Sequence, residues 1–118
     1  MATIVTTNIA VSKRGDAYEV KIVPPVTRVP NNDGVKTAQL VWTCSGATFT
    51  STDAFRWKTG GNSRPDVQPD GDKLVSAEYT KNTSGKSVNW EYEFTIQIAG
   101  GPTLVIDPEV ENLPPGMP

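Results

Sequence analysis

Between Ser87 and Ala99 apolar residues fall on every second position: Val88, Trp90, Tyr92, Phe94, Ile96 and Ile98. Asn89, Glu91, Glu93, Thr95 and Gln97 fill the gaps. A β-strand turns successive side chains to opposite faces, so the stretch has one greasy face and one wet face. A helix would spread the same apolar set around its circumference. This strand constrains the rest of the chain, because other strands must cover its greasy face.

The remaining sequence supplies them. Ala2–Ser12 alternates Val5, Thr7, Ile9 and Val11 against Ile4, Thr6, Asn8 and Ala10, and its polarity predicts a place near a sheet edge. Lys13–Asp16 is a turn, and Tyr18, Val20 and Ile22 mark a second strand. Pro24-Pro25 ends its ladder, since proline has no N–H to donate, and the chain resumes as Val26–Val29. Lys36–Ser45 puts Ala38, Leu40, Trp42 and Cys44 on one face, and a short segment around Phe49 follows Gly46.

Lys73–Lys81 puts Val75, Ala77 and Tyr79 on one face. The Asn82–Gly85 turn allows this strand to pair with Ser87–Ala99 as a direct hairpin. Parity also favours a three-residue loop, Gly100-Gly101-Pro102, setting Leu104 against Ile98 and Ile106 against Ile96; a one-residue slip would move the apolar set into water. Asp53–Asp72 is the least regular part, and Leu113–Pro118 reads as a loose tail.

The 118 residues fit one domain spanning the whole chain. With 13 Val and 14 Thr against 4 Leu, the composition suits half-buried pleated surfaces and an all-β fold. The expectation is a two-sheet antiparallel β-sandwich of about seven strands.

Trp42, two residues before Cys44, resembles the buried tryptophan of immunoglobulin-like sandwiches, and the resemblance implies that fold. The second cysteine of the antibody disulfide is missing. A direct hairpin from Lys73–Lys81 into Ser87–Ala99 would also depart from that family, where those strands lie in opposite sheets. Ile106–Asn112 is similar to the close of certain small bacterial sandwich proteins, which implies no activity.

The chain has no histidine, which removes Ser-His-Asp and Cys-His catalysis, imidazole zinc sites and blue-copper ligation. Cys44 lies on an apolar strand face and reads as a small core hydrophobe. One cysteine allows no internal disulfide, which fits a cytoplasmic protein. The amino-terminal stretch alternates too soon for a signal peptide, and no apolar run approaches a membrane span. A net charge of −2, mixed along the chain, argues against nucleic acid and anionic membrane as partners.

Several small constellations remain. Glu91 and Glu93 share the wet face of the main strand, and Asp107, Glu109 and Glu111 recur at strand spacing; a carboxylate-only hydrolase is the weakest use of them. Asp66, Asp70, Gly71 and Asp72 make an oxygen-rich loop without EF-hand spacing, so no metal site is assigned. Asn82-Thr83-Ser84 matches a glycosylation sequon but reads as a turn. The candidate ligand-binding residues are Arg56, Trp57, Lys58 and Arg64, an aromatic–basic cluster that could stack a sugar or a partner side chain. Against this, Phe55 and Trp57 alternate as a core-facing strand end would.

The expected function is a non-catalytic binding or assembly module, without cofactor, presenting loops or an edge strand to a protein partner. The alternative is a small-ligand module that binds carbohydrate or calcium through Asp53–Asp72.

Overall fold

A computed structural model describes residues 1–50, 54–58 and 64–118, and among these every regular element is a strand. The alternating stretch forms β10 (Val88–Gln97). Trp90, Tyr92, Phe94 and Ile96 are buried, as is Ile98 just beyond, while Val88 is partly exposed at the strand's start.

β10 is the axis of one sheet. On one flank β11 (Thr103–Ile106) and β12 (Glu109–Asn112) continue in a single register, Ile96 facing Leu104, Phe94 facing Ile106 and Trp90 facing Val110. Pro108 interrupts them, yet its carbonyl still accepts from Tyr92 N–H at 3.2 Å. On the other flank lie β5 (Thr48–Phe49) and β6 (Phe55–Trp57). β3 (Val26–Val29) runs parallel to β12.

The loop into β11 has three residues, but they are Ala99–Gly101. Ile98 N–H donates to Pro102 O at 3.1 Å and Gly101 N–H to Ile98 O at 2.8 Å. Leu104 therefore meets Ile96 rather than Ile98, and Ile106 meets Phe94 rather than Ile96. The facing survives, since a shift of two preserves parity: Leu104 and Ile106 are half-buried and Val105 is 58% exposed. Pro102 can join the ladder because only its carbonyl is used, and Gly100, at φ 68, takes the left-handed turn position.

The second sheet runs β2 (Ala17–Val23), β1 (Thr3–Arg14), β4 (Thr37–Ser45), β8 (Lys73–Ser76) and β7 (Val67–Asp70), with β9 (Tyr79–Thr80) also on β4. β1 is interior rather than at an edge: β2 pairs antiparallel on one side and β4 parallel on the other. Its polarity reflects one solvated face, while Thr7 and Ile9 point inward and are buried. With β3 beside β12, this is the second parallel pair, so the sheets are mixed rather than purely antiparallel. Parallel neighbours need a crossover, and the passage from β2 through β3 in the opposite sheet supplies it.

The hairpin expected between Lys73–Lys81 and β10 does not form; β8 and β9 pair with β4 instead. The segment also changes phase. Val41 faces Val75 and Ala38 faces Tyr79, so three steps along β4 match four along its partner. The extra residue is a bulge within residues 76–78, three residues that lie opposite Gln39 and Leu40. Leu74, Ser76 and Tyr79 are buried, Val75 is half-buried and Ala77 is exposed, contrary to a common face for Val75, Ala77 and Tyr79. Ser76 Oγ accepts from Leu40 N–H at 2.8 Å.

Aromatic rings join the sheets. Trp42 on β4 donates its indole N–H to Tyr92 Oη on β10 at 2.9 Å, and Phe55 stacks on Tyr92 with centroids 5.1 Å apart. Burial pushes the Tyr92 phenol up to about 12, opposed by its bonds with Trp42 and Thr27. The Thr7 and Thr27 hydroxyls hydrogen-bond between β1 and β3. Trp42 is buried, whereas Cys44 is only half-buried, with a thiol raised by burial.

The tail is held rather than loose. Leu113 is buried, Gly116 N–H donates to Asn31 O at 2.8 Å, and Asn31 N–H donates to Met117 O at 2.8 Å. The Asp53–Asp72 stretch contains β6 and β7; Asp53 and the Gly60-Gly61-Asn62 group lie outside the described residues.

Candidate functional site

β6 distributes the candidate residues by its pleat. Phe55 and Trp57 are half-buried, and Arg56 is exposed opposite Glu93. The Arg56 guanidinium reaches Glu93 Oε1 through Nη2 at 2.7 Å and Nε at 2.8 Å. Trp57 donates its indole N–H to Pro65 O at 2.8 Å, and its ring packs edge-on against Trp90 and Tyr92, with centroids 5.3 and 5.8 Å away. The Arg64 guanidinium lies 5.7 Å from the centroid of the Trp90 ring. Lys58 N–H donates to Glu91 O at 2.8 Å, and its ammonium is 3.9 Å from Asp107. The residues are neighbours, but they point in different directions: Trp57 into the aromatic core, Arg56 to the outer sheet face, and Lys58 into a cleft.

That cleft has a volume of about 360 Å³ and is lined by Lys58, Glu91, Asp107, Glu109 and the Pro25, Val26 and Pro108 side chains. Glu91 and Glu109 are directly opposed across the β10–β12 ladder. A like-charge pair there, with one lysine at the rim, favours a polar or cationic guest. The other carboxylates of the series are elsewhere: Glu111 pairs with Arg28 at 2.9 Å, and Glu93 with Arg56. Asp70 faces Lys73 across the tight Gly71-Asp72 turn, Gly71 having φ 63. Among the described residues no group of three or more Asp, Glu, Cys or His is placed to hold a metal ion.

The sequon asparagine is structural. Asn82 Nδ2 donates to Lys86 O at 2.6 Å and Asn112 O at 3.1 Å, and its Oδ1 accepts from Ser84 N–H at 2.9 Å. Nearby, the buried Lys81 ammonium meets Asp33 at 2.7 Å. Bonds from Lys81 and Thr3 hold the Asp33 carboxyl well below the usual carboxylate range.

The sheet margins differ sharply. β7 is four residues with Pro69 in its middle; β11 is four residues between Pro102 and Pro108; β3 is four residues between Pro25 and Pro30. Short length and proline are the usual protections of an edge. β2 is longer, with seven residues and no proline inside it, Pro24 following at one end only, and among the described residues β1 is its one partner. Gly15-Asp16 is a two-residue loop closed by Arg14 and Ala17, so Ala17, Glu19, Lys21 and Val23 take the hydrogen-bonded positions toward β1. The N–H and C=O groups of Tyr18, Val20 and Ile22 then point to the open side. Sequence reasoning assigned the edge to β1 and passed over β2; its unbroken length between turn residues was the available signal.

No protein-family model matches the chain, and no curated protein matches it.

Proposed function

We propose that this protein is a non-catalytic binding or assembly module that offers the β2 edge to a protein partner. One observation carries the reading: among the described residues β2 is the sheet margin left long, without an internal proline and open. Strand addition at such an edge uses main-chain hydrogen bonds for affinity and alternate side chains for selectivity. The absence of histidine motivates the non-catalytic part, and the single cysteine motivates a cytoplasmic setting.

An immunoglobulin-like scaffold belongs to the same proposal. β4, β8 with β9, and β7 are neighbours in one sheet; β6, β10, and β11 with β12 are neighbours in the other. These neighbours support the reading by resembling the B-E-D and C-F-G relations of that sandwich, while the parallel β1–β4 pair departs from its antiparallel sheets. In this correspondence Trp57, rather than Trp42, stands on the strand that carries the buried tryptophan.

Val20→Pro tests the edge. Its N–H points away from β1, so the substitution blocks strand addition without removing a ladder bond. The immobilised protein is exposed to an extract of its host beside this variant and Arg56→Ala/Lys58→Ala. Loss of a retained protein with Val20→Pro alone supports the reading, and equal retention by all three overturns it.

The cleft at Lys58 favours a second reading, a small polar ligand such as a carbohydrate. Retention on an immobilised sugar that is lost in Lys58→Ala would select it.

A further inference from the structure

The β2 edge has the same polar and apolar pattern in both directions about Val20, with Glu19 and Lys21 exchanging places. Its sequence is Ala17-Tyr18-Glu19-Val20-Lys21-Ile22-Val23. We infer that the strand added at this edge is β2 of a second copy of the chain, antiparallel about a two-fold axis through Val20. This rests on the edge reading above and names its occupant.

In that register Glu19 stands opposite the second copy's Lys21, and Lys21 opposite its Glu19. Tyr18 stands opposite Ile22, Val20 opposite itself, and Ala17 opposite Val23. The outward N–H and C=O groups belong to Tyr18, Val20 and Ile22, which all fall in hydrogen-bonded pairs of this arrangement. Glu19 and Lys21 fall in the non-hydrogen-bonded pairs, where side chains approach most closely and opposite charges gain most. An isologous interface must be complementary to itself, and this one is so in charge, in backbone bonding and in the facing of its apolar residues.

Among the described residues the one ion pair of Glu19 within a chain is a surface contact with Arg14 at 3.4 Å, both side chains more than half exposed. Lys21 has no ion-pair partner among the described residues. A lone edge lysine is normally a guard against strand pairing. Here the residue two positions before it is the acid that a two-fold mate would present, so the guard becomes a selector for this one register. Tyr18, Val20 and Ile22 are half-buried on the inner face, and their counterparts would extend that face across the axis. Pro24 and the Gly15-Asp16 turn set the limits of the pairing. The interface is narrow, so the dimer is expected to form and dissociate readily.

Sedimentation equilibrium of the full chain, over a concentration series reaching roughly millimolar, tests the inference. The wild type is expected to dimerise. Lys21→Glu places like charges opposite each other twice and should weaken association about 10-fold or more. Glu19→Lys with Lys21→Glu restores both pairs with their signs exchanged and should recover the wild-type constant. Val20→Pro should be monomeric, with circular dichroism showing that each variant keeps its β-fold. A wild type that stays monomeric throughout overturns the second copy as occupant; the edge reading then stands or falls on the host-extract comparison. A dimer indifferent to Lys21→Glu, or a double variant no tighter than the single, overturns the register.

Discussion

β10 and the β8–β9 segment look alike in sequence and behave differently in the fold. Both alternate apolar with polar residues. β10 keeps its phase from Trp90 to Ile98, and each inward residue is buried. The β8–β9 segment loses phase after Ser76, so Leu74 and Tyr79, an odd number of positions apart, share the inner side. The difference lies in the partners. β10 is held on one flank by β11 and β12 in one unbroken register. The β8–β9 segment lies along β4 over fewer residues and absorbs an extra residue there, with the Ser76 hydroxyl supplying the bond to Leu40 N–H. Alternation reports facing only while the count of residues on both strands is equal.

The contrast is most easily broken at Leu74 and Val75. Strict alternation with Tyr79 turns Val75 inward, whereas the bulge turns Leu74 inward. Leu74→Lys should prevent stable folding, because it puts an unpaired charge into the core, while Val75→Lys should cost at most about 0.5 kcal/mol. Urea denaturation of both variants checks this, and a reversed ranking would remove the bulge.

The next effect depends on pH. Tyr92 on β10 and Tyr79 on β9 both have phenols raised by burial, Tyr92 to about 12. An exposed tyrosine has an ordinary value of 10.0, so the neutral phenol is favoured in the folded state. Their stability contribution is complete below pH 10 and is lost as the pH rises toward and through the folded values. For Tyr92 alone the loss across pH 10 to 12 should be about 2–3 kcal/mol. Chemical denaturation at stepped pH measures it, and Tyr79→Phe should flatten the upper part of the curve. If Tyr79 were outward, that variant would leave the curve unchanged.

Ser76→Ala gives the smallest signal, roughly 1–3 kcal/mol, from stranding the Leu40 N–H. Ser76→Thr keeps the oxygen and should recover part of it. A neutral Ser76→Ala would mean that the bulge is held by packing alone.

Much of the fold was legible in these terms. The phase of β10, the inward Trp42, and the facing of Leu104, Val105 and Ile106 all follow from side-chain alternation, a local property. The candidate site was less legible. Phe55, Arg56 and Trp57 alternate as their sequence says, but the rings that receive Trp57 come from β10, and the carboxylate that receives Arg56 is Glu93 on the same strand. Nothing local in Phe55–Lys58 specifies those partners. Likewise β1 looked like an edge from its polarity, because a strand with one wet face has the same composition inside a sheet as at its margin.

The sequence by itself determined that the protein is built of strands, which side of most strands is apolar, and where many of the turns fall. These follow from backbone sterics, proline and glycine chemistry, and the two-residue period of the pleat. Only the tertiary structure decided which strands are neighbours. It set β8 and β9 against β4 instead of β10, ran β1 parallel to β4, tied the tail to Asn31, and left β2 open at its margin. The physical reason is that backbone hydrogen bonds are the same for every residue. Pairing is therefore chosen by the joint burial of all the apolar faces at once, a property of the whole packed chain and of no single stretch.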